Sequence, residues 1–388
     1  VSREATGAPA PPTLAGRRRL LFVVLMLVGL VGFFEATGAL LYFLRYSPEQ
    51  RRQVSVALGL EEGDFNNALR YRPHPYFNYV SNPDFTHPDG SRPHHPIGIR
   101  ATELDLQRKG DGALRMVALG GSTTYGMYFW RGEDVWPQLV VRFLEVAFPD
   151  ATLEMINAGV PNYSTFELLG MASMWVPELD ADIVLVHTGL NDAFTVGYPD
   201  EGGPDNTGFR HSWTYRPLPG PARALMRRSW FCRALGVGWL SRGGHMVGGM
   251  SDAMQYPAPD DEQVRRLAPA ATGKYFRRNL VTLIALIRGA GAEPVLVEMP
   301  LNPGMEQGLG VYYDAVSAAV LRNNRIMAEV AADRGVLLVP LYDRMRDPAQ
   351  YKDAAHLGQE GMLLKAKLVA EGIVPLVGSR LGSAPGGP

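Results

Sequence analysis

Four short segments of the chain carry residue types that can do chemistry. In GGSTTYG (120–126), two glycines precede Ser122. A Gly-Gly-Ser turn between a strand and a helix bends sharply and exposes the hydroxyl. The helix start points backbone N–H groups at whatever sits there. Such a turn serves a nucleophilic serine or a phosphate cradle. It is not G-x-S-x-G, because Thr124 holds the last position, and it lacks the Gly-Lys-Ser/Thr of Walker A. INAGVPNYST (156–165) supplies Asn157 and Gly159, and HTGLND (187–192) supplies Gly189, Asn191 and Asp192. An asparagine amide or a sterically open glycine N–H can donate to a developing oxyanion, although each is also a common turn residue. In YKDAAHLGQEG (351–361), Asp353 and His356 stand three apart. A carboxylate that orients an imidazole is the second half of a serine nucleophile system. Asp343 and Asp347 are the other acids near that histidine in sequence.

The pattern between these segments says how they are brought together. LRMVALG (114–120), TLEMINAG (152–159), DIVLVHTG (182–189), EPVLVEMP (293–300) and GVLLVPL (335–341) read as short strands. Helical periodicity covers 134–147, 165–177, 262–290, 311–334 and 359–372. Alternating strands and helices predict one α/β domain over about 112–380: a three-layer α/β/α, flavodoxin-like fold with a five-stranded parallel sheet. Sites in such sheets lie beyond the carboxyl ends of the strands, where all four segments fall. The span 196–262 breaks the alternation and reads as an insertion. Its Arg223, Arg227, Arg228 and Arg233 alternate with Leu225, Met226, Trp230, Phe231 and Trp239. That pattern fits a lid, a helix on a membrane surface, or a solvated helix packed on the domain.

In this order and at these strand ends, the four segments resemble the SGNH (GDSL-like) hydrolase superfamily, over about 112–372. The resemblance implies that Ser122 is the nucleophile, His356 the general base and Asp353 the residue that orients it. It implies an oxyanion hole made by the N–H of Ser122, the N–H of Gly159 and the side chain of Asn191. It implies ester hydrolysis through an acyl-enzyme, with no metal or organic cofactor required. One departure is visible: the family's usual Gly-Asp-Ser stands here as Gly120-Gly121-Ser122. IGIR (97–100) also looks like a feature of membrane-anchored bacterial members.

Residues 1–19, rich in Ala, Pro and Gly and ending in Arg17–Arg19, read as a disordered tail. The apolar run Leu20–Leu44 follows, roughly 37 Å as a helix against a hydrocarbon core of about 30 Å. Glu35 interrupts it at a cost of about 3 kcal/mol, outweighed by some sixteen Leu, Val and Phe residues at about −0.4 kcal/mol each. Ala36-Thr37-Gly38 resembles a signal-peptide cleavage site, but the run continues through Leu40–Leu44, which favours an uncleaved transmembrane signal anchor. The tight Arg17–Arg19 cluster places the N-terminus inside and the α/β domain on the extracytoplasmic side. Glu35 is a candidate contact for a membrane-protein partner. Residues 45–111 read as an extended connector rich in Pro, His and Tyr. His74, His87, His94 and His95 lack metal-ligand spacing.

Composition excludes several classes. Lys plus Arg is 38 and Asp plus Glu is 39, a balance that argues against nucleic acid as the main partner. A single cysteine, Cys232, excludes an internal disulfide framework and a Cys-based zinc site. The expected substrate is an ester: an acylated glycan, a lipid or a small ester. O-acyl transfer by the same residues is a variant of that chemistry, and a non-catalytic scaffold subunit of a membrane complex is the alternative from another class. A flavin or nucleotide binder using GGSTTYG leaves Asn191, Asp353 and His356 without a role.

Overall fold

A computed structural model describes residues 14–58, 60, 70–74, 76–86, 90–100, 103–129, 134–206, 220–242 and 259–382. The chain forms two compact units, residues 67–217 with 252–388, and residues 1–66 with 218–251.

The larger unit is built on five parallel strands: β3 (Leu114–Gly120), β4 (Leu153–Gly159), β5 (Ile183–His187), β6 (Glu293–Val297) and β7 (Leu337–Val339). Their order is β4-β3-β5-β6-β7. Counting these strands alone, that is the 2-1-3-4-5 order of flavodoxin-like folds. β3 is buried at every residue, as a central strand covered on both faces must be. Side chains alternate between the two faces. Leu114, Met116 and Ala118 join Leu185, Val295 and Val297 against α4 (Trp136–Ala147) and α12 (Gln359–Leu381). The other layer holds α5 (Thr165–Met174), α10 (Lys274–Gly289) and α11 (Val311–Arg334). In α10, Phe276, Leu280, Leu283, Ile284 and Ile287 are buried, a 3.6-residue stripe. The predicted helix 262–290 is instead two: α9 (Asp261–Leu267) and α10, parted by Pro269 and by Gly273 at φ +70°. Proline opposes a continuous helix and glycine accepts that angle.

At the amino ends of the strands, Arg115 is fully buried. Its Nε donates to Glu154, and its guanidinium also donates to the carbonyls of Asp105, Leu106, Arg108 and Leu179. One side chain thus closes the base of the sheet beneath β3.

The expectation of an extended connector over 45–111 requires correction. β1 (Tyr71–His74) and β2 (Asn78–Ser81) pair as an antiparallel hairpin within the larger unit. Tyr79 donates to the carbonyl of Pro161 at 2.6 Å, and Tyr163 donates back to that of Tyr79 at 2.6 Å. In the IGIR segment, the Arg100 guanidinium donates to the carbonyls of Tyr125 and Phe129 at 2.7 and 2.6 Å. Of the expected histidines, His94 accepts or donates through Nε2 at the Tyr125 hydroxyl, 2.9 Å away, while His87 lies outside the described residues. These contacts brace the loops around the strand ends.

The smaller unit comprises α1 (Leu14–Arg45), α2 (Pro48–Ala57), α7 (Gly220–Arg228) and α8 (Trp230–Arg242), which leaves α3 (Ser122–Tyr125) and α6 (Leu190–Ala193) as the short helices of the larger one. Helix α2 also lies in the expected connector. The expected tail is helical from Leu14, and its residues 1–13 lie outside the described residues. Gly16–Arg45 is long and apolar enough to cross a membrane, with a mean hydropathy of 2.4, and a signal sequence meets the same description. Glu35 has its partner within the chain: Ser229 Oγ and the Trp230 N–H donate to its carboxylate. Tyr42, Tyr46, Val54, Leu58, Met226, Ala234 and Val237 form this unit's core. Of the described insertion helices, α8 is therefore packed on α1 and α7 on α8, while 207–219 and 243–258 lie outside the described residues.

Candidate active site

Strand β3 ends in Gly120, and Ser122 opens α3 after the extended cap residue Gly121. Both glycines are required by close approach. A Cβ on Gly120 would lie 2.4 Å from the carbonyl oxygen of His187, and one on Gly121 would lie 2.6 Å from Asn191 Nδ2. The missing aspartate of the family motif thus leaves room for the Asn191 amide. Asn157, on β4, donates from Nδ2 to the carbonyl of Thr124 at 2.9 Å and holds the far end of α3. Beneath α3, Trp136 Nε1 donates to the Thr123 carbonyl at 3.0 Å. The same ring lies 4.5 Å from Lys365 Nζ, which in turn lies 2.6 Å from His187 Nε2. Burial pushes the Lys365 amine well below its ordinary pKa, and burial with the neighbouring amine does the same to His187.

His356 approaches from the loop after β7. Its Nε2 lies 2.8 Å from Ser122 Oγ. Its Nδ1 lies 2.8 Å from Oδ2 and 3.0 Å from Oδ1 of Asp353. Asp353 Oδ1 also accepts the backbone N–H groups of Ala355 and His356, at 3.0 and 2.8 Å. Partial burial raises the Asp353 pKa, but the hydrogen bond and charge of His356 and the two N–H groups outweigh it, leaving the carboxyl well below the ordinary range. A carboxylate on Nδ1 fixes the proton there and turns the Nε2 lone pair toward the serine. Of the alternative acids, Asp347 caps the Ala349 N–H at 2.9 Å. The imidazole contact belongs to Asp353.

Asn191, at the start of α6, donates from Nδ2 to the Tyr163 carbonyl at 2.7 Å and lines the same cavity as Ser122. Its amide has a second hydrogen. Asp192 accepts from Thr188 and from the N–H and hydroxyl of Thr165, and so ties α6 to α5. The expected role of Gly159 is overturned. Its N–H donates to Asn157 Oδ1 at 3.0 Å, and a Cβ there would lie 2.3 Å from the Tyr125 nitrogen. Gly159 is a packing glycine inside the sheet. The residue of that segment which lines the cavity is Asn162, in the left-handed conformation at φ +65°. Asparagine is among the few side chains that accept it.

Sequence reasoning also missed Tyr128. Its hydroxyl donates to Asp353 Oδ2 at 3.0 Å, and its ring stands edge-on to His356, centroids 5.6 Å apart. Burial first, then the Asp353 charge and the hydrogen bond, raise its pKa. No spacing rule points to it; only its closeness to Ser122 in sequence could have.

A cavity of about 450 Å³ opens beside the serine. Its walls are mainly apolar: Leu190, Phe194, Leu301, Met305, Leu309, Tyr313, Val316 and Val320. They come from α6, the segment after β6 and the first turns of α11. No described residue of the 196–262 insertion lines it. Among the described residues, the longest stretch of wall is 301–320. Asn302 anchors that wall to the histidine loop, donating from its side chain to the Asp353 carbonyl at 3.2 Å and from its backbone to the Ala354 carbonyl at 2.9 Å.

The family model of GDSL-like lipases and acylhydrolases matches residues 118–364. Among curated proteins, no relative matches the chain. Among solved structures it is similar to a lipase/acylhydrolase from Enterococcus faecalis, at 19% identity and a TM-score of 0.40, covering 67% of this chain and 95% of that one. It is also similar to an acetylxylan esterase from Geobacillus stearothermophilus, at 15% identity and a TM-score of 0.41, covering 67% and 94%. With the family match spanning most of the chain, and with a five-stranded parallel sheet behind a serine turn, the chain belongs to the GDSL-like lipase/acylhydrolase family and is an ester-hydrolysing enzyme.

Proposed function

We propose that the chain is a membrane-anchored serine esterase that cleaves esters of apolar acyl groups. The observation that carries this reading is the unbroken hydrogen-bond chain Ser122–His356–Asp353 at the mouth of an apolar cavity. Ser122 Oγ attacks the ester carbonyl and passes its proton to His356 Nε2. Asp353 holds the imidazole in the required tautomer and stabilises the imidazolium. The tetrahedral oxyanion is met by the Ser122 N–H, which has no helical acceptor in the first turn, and by the Asn191 amide. Asn162 takes the place expected of Gly159 as the third donor. His356 then protonates the leaving alkoxide as the carbonyl re-forms. Water attacks the acyl-enzyme and gives a proton to His356; as the second tetrahedral intermediate collapses, His356 returns that proton to Ser122 Oγ and the acid leaves.

The apolar walls favour an acyl chain over an acetyl group, so the acylated glycan, lipid or small ester would present its acyl side to 301–320. We further assign Leu20–Leu44 as a retained anchor, with the catalytic domain outside the cytoplasm. Two observations support retention over cleavage. Glu35 is hydrogen-bonded to Ser229 and Trp230. Gly38, in the cleavage-like Ala36-Thr37-Gly38, packs against the backbone of Phe231, where any Cβ would lie 2.3 Å from its Cα.

The test is hydrolysis of a p-nitrophenyl acyl ester by the full-length chain in detergent. Ser122→Ala and His356→Ala are each expected to lose at least about 10³-fold in kcat. Undiminished turnover by either variant contradicts the assignment.

A further inference from the structure

Helix α1 changes character at Glu35. Before it, the large side chains from Leu20 to Phe33 face outward, and Leu20, Phe22 and Phe33 are all more than 60% exposed. From Glu35 onward, one face is covered by α8. Ser229 and Trp230 meet Glu35, Phe231 meets Phe34 and Gly38, and Trp230 lies 5.6 Å from the ring of Tyr42. A Cβ on Gly238 would lie 3.6 Å from the Arg45 guanidinium and the Tyr46 hydroxyl. Helix α8 therefore runs beside α1 from the level of Glu35 to that of Arg45. The α7–α8 junction, with exposed Arg227 and Arg228, sits at the Glu35 end. Arg233 is buried between the two helices, its guanidinium 4.2 Å over the Trp230 ring and donating to the Met226 carbonyl at 2.9 Å.

These contacts conflict with a membrane that covers the whole apolar run. Hydrocarbon up to Leu44 would enclose Glu35, Arg227, Arg228 and Arg233 together, and each charge near the centre opposes insertion. It would also enclose the α7–α8 turn, and irregular backbone facing lipid is not tolerated there. We propose that the bilayer boundary lies at Glu35, ten residues before the end of the apolar run. The last three turns of α1, with α7 and α8, then form a collar on the membrane surface, with Arg227 and Arg228 at the lipid phosphates. The apolar length left, Leu20–Phe34, is about 22 Å as a helix. Snorkelling of Arg17–Arg19 and local thinning accommodate the shortfall at modest cost. Aromatic Trp230 and Phe231 at the rim match the usual interfacial belt.

The proposal rests on the reading of α1 as a retained anchor, and depth measurement separates the two. The full-length chain, with Cys232→Ser, is reconstituted in phosphatidylcholine vesicles containing phosphatidylglycerol. Nitroxide labels are placed singly through Val28→Cys, Leu41→Cys, Leu44→Cys and Arg228→Cys, all at outward-facing positions. Collision with oxygen and with a water-soluble nickel chelate reports depth. The expected result is hydrocarbon at 28, phosphate level at 228, and water at 41 and 44. Hydrocarbon at 28, 41 and 44 alike overturns the boundary and leaves the anchor standing. Water at 28 as well overturns the anchor itself.

Discussion

Replacing Asp353 by asparagine tests how the histidine is set, and the structure says which way the amide must turn. Asp353 Oδ1 accepts two backbone N–H groups, from Ala355 at 3.0 Å and His356 at 2.8 Å. Only an oxygen can satisfy them, so the asparagine oxygen takes that position. The amide nitrogen then falls where Oδ2 was, 2.8 Å from His356 Nδ1 and 3.0 Å from the Tyr128 hydroxyl. An NH₂ group facing Nδ1 makes that nitrogen an acceptor and moves the imidazole proton to Nε2. The proton then points at Ser122 Oγ, 2.8 Å away, and the base can no longer take one. The loss of tautomer together with loss of the charge that stabilises the imidazolium corresponds to about 10⁴-fold in kcat, or about 5.5 kcal/mol. Steady-state hydrolysis of a p-nitrophenyl ester measures it, with the thermal melt of the same sample confirming that the fold is intact. A folded Asp353→Asn enzyme within tenfold of the parent kcat would refute the reasoning, because the amide would then not control the tautomer.

Three other outcomes are expected. Across a series of p-nitrophenyl esters, kcat/KM should rise up to about fourfold per added CH₂, since each buried methylene is worth about 0.8 kcal/mol, until the 450 Å³ cavity is filled; a flat series contradicts the assignment of the 301–320 wall to the acyl chain. Burial holds the Lys365 pKa in the folded chain below its value of about 10.4 when unfolded, so unfolding takes up a proton between the two values and stability should climb with pH there, by as much as about 1.4 kcal/mol per unit, levelling off above about pH 10.4. Lys365→Met should flatten that part of the urea-unfolding profile, and an unchanged slope would mean that another group carries it. Arg115→Leu should cost about 3–5 kcal/mol in chemical denaturation, because it leaves Glu154 and the carbonyls of Asp105, Arg108 and Leu179 without their donor; a loss under about 1 kcal/mol contradicts the role given to that network.

The parallel sheet was legible because its strands are continuous apolar runs bounded by helices of clear period. Leu114–Gly120, for instance, is buried throughout. Ser122, Asp353, His356 and Asn191 were legible because their chemistry demands those residue types at strand ends. What the sequence hid is what contacts decide. Gly159 and Asn162 stand three apart, and only the donation of the Gly159 N–H to Asn157 shows which of them the sheet consumes. Tyr128 reaches Asp353 from 225 positions away, a contact no local pattern encodes. The connector looked extended because it is rich in proline and histidine, yet four residues on each side of a turn suffice for the β1–β2 hairpin. The insertion's alternating arginines and aromatics left a lid, a membrane-surface helix and a helix packed on the domain open, and the partner of α8 is the N-terminal helix, which sequence order places far away.

The central claim is that Ser122 is a nucleophile activated by His356. The most direct measurement is labelling of the full-length chain by a fluorophosphonate, with the adduct located by peptide mass spectrometry. The account predicts one modified residue, Ser122, with labelling absent in Ser122→Ala and slowed by at least about 10²-fold in His356→Ala. A folded chain that stays unlabelled, or that carries the adduct on another residue, would contradict it.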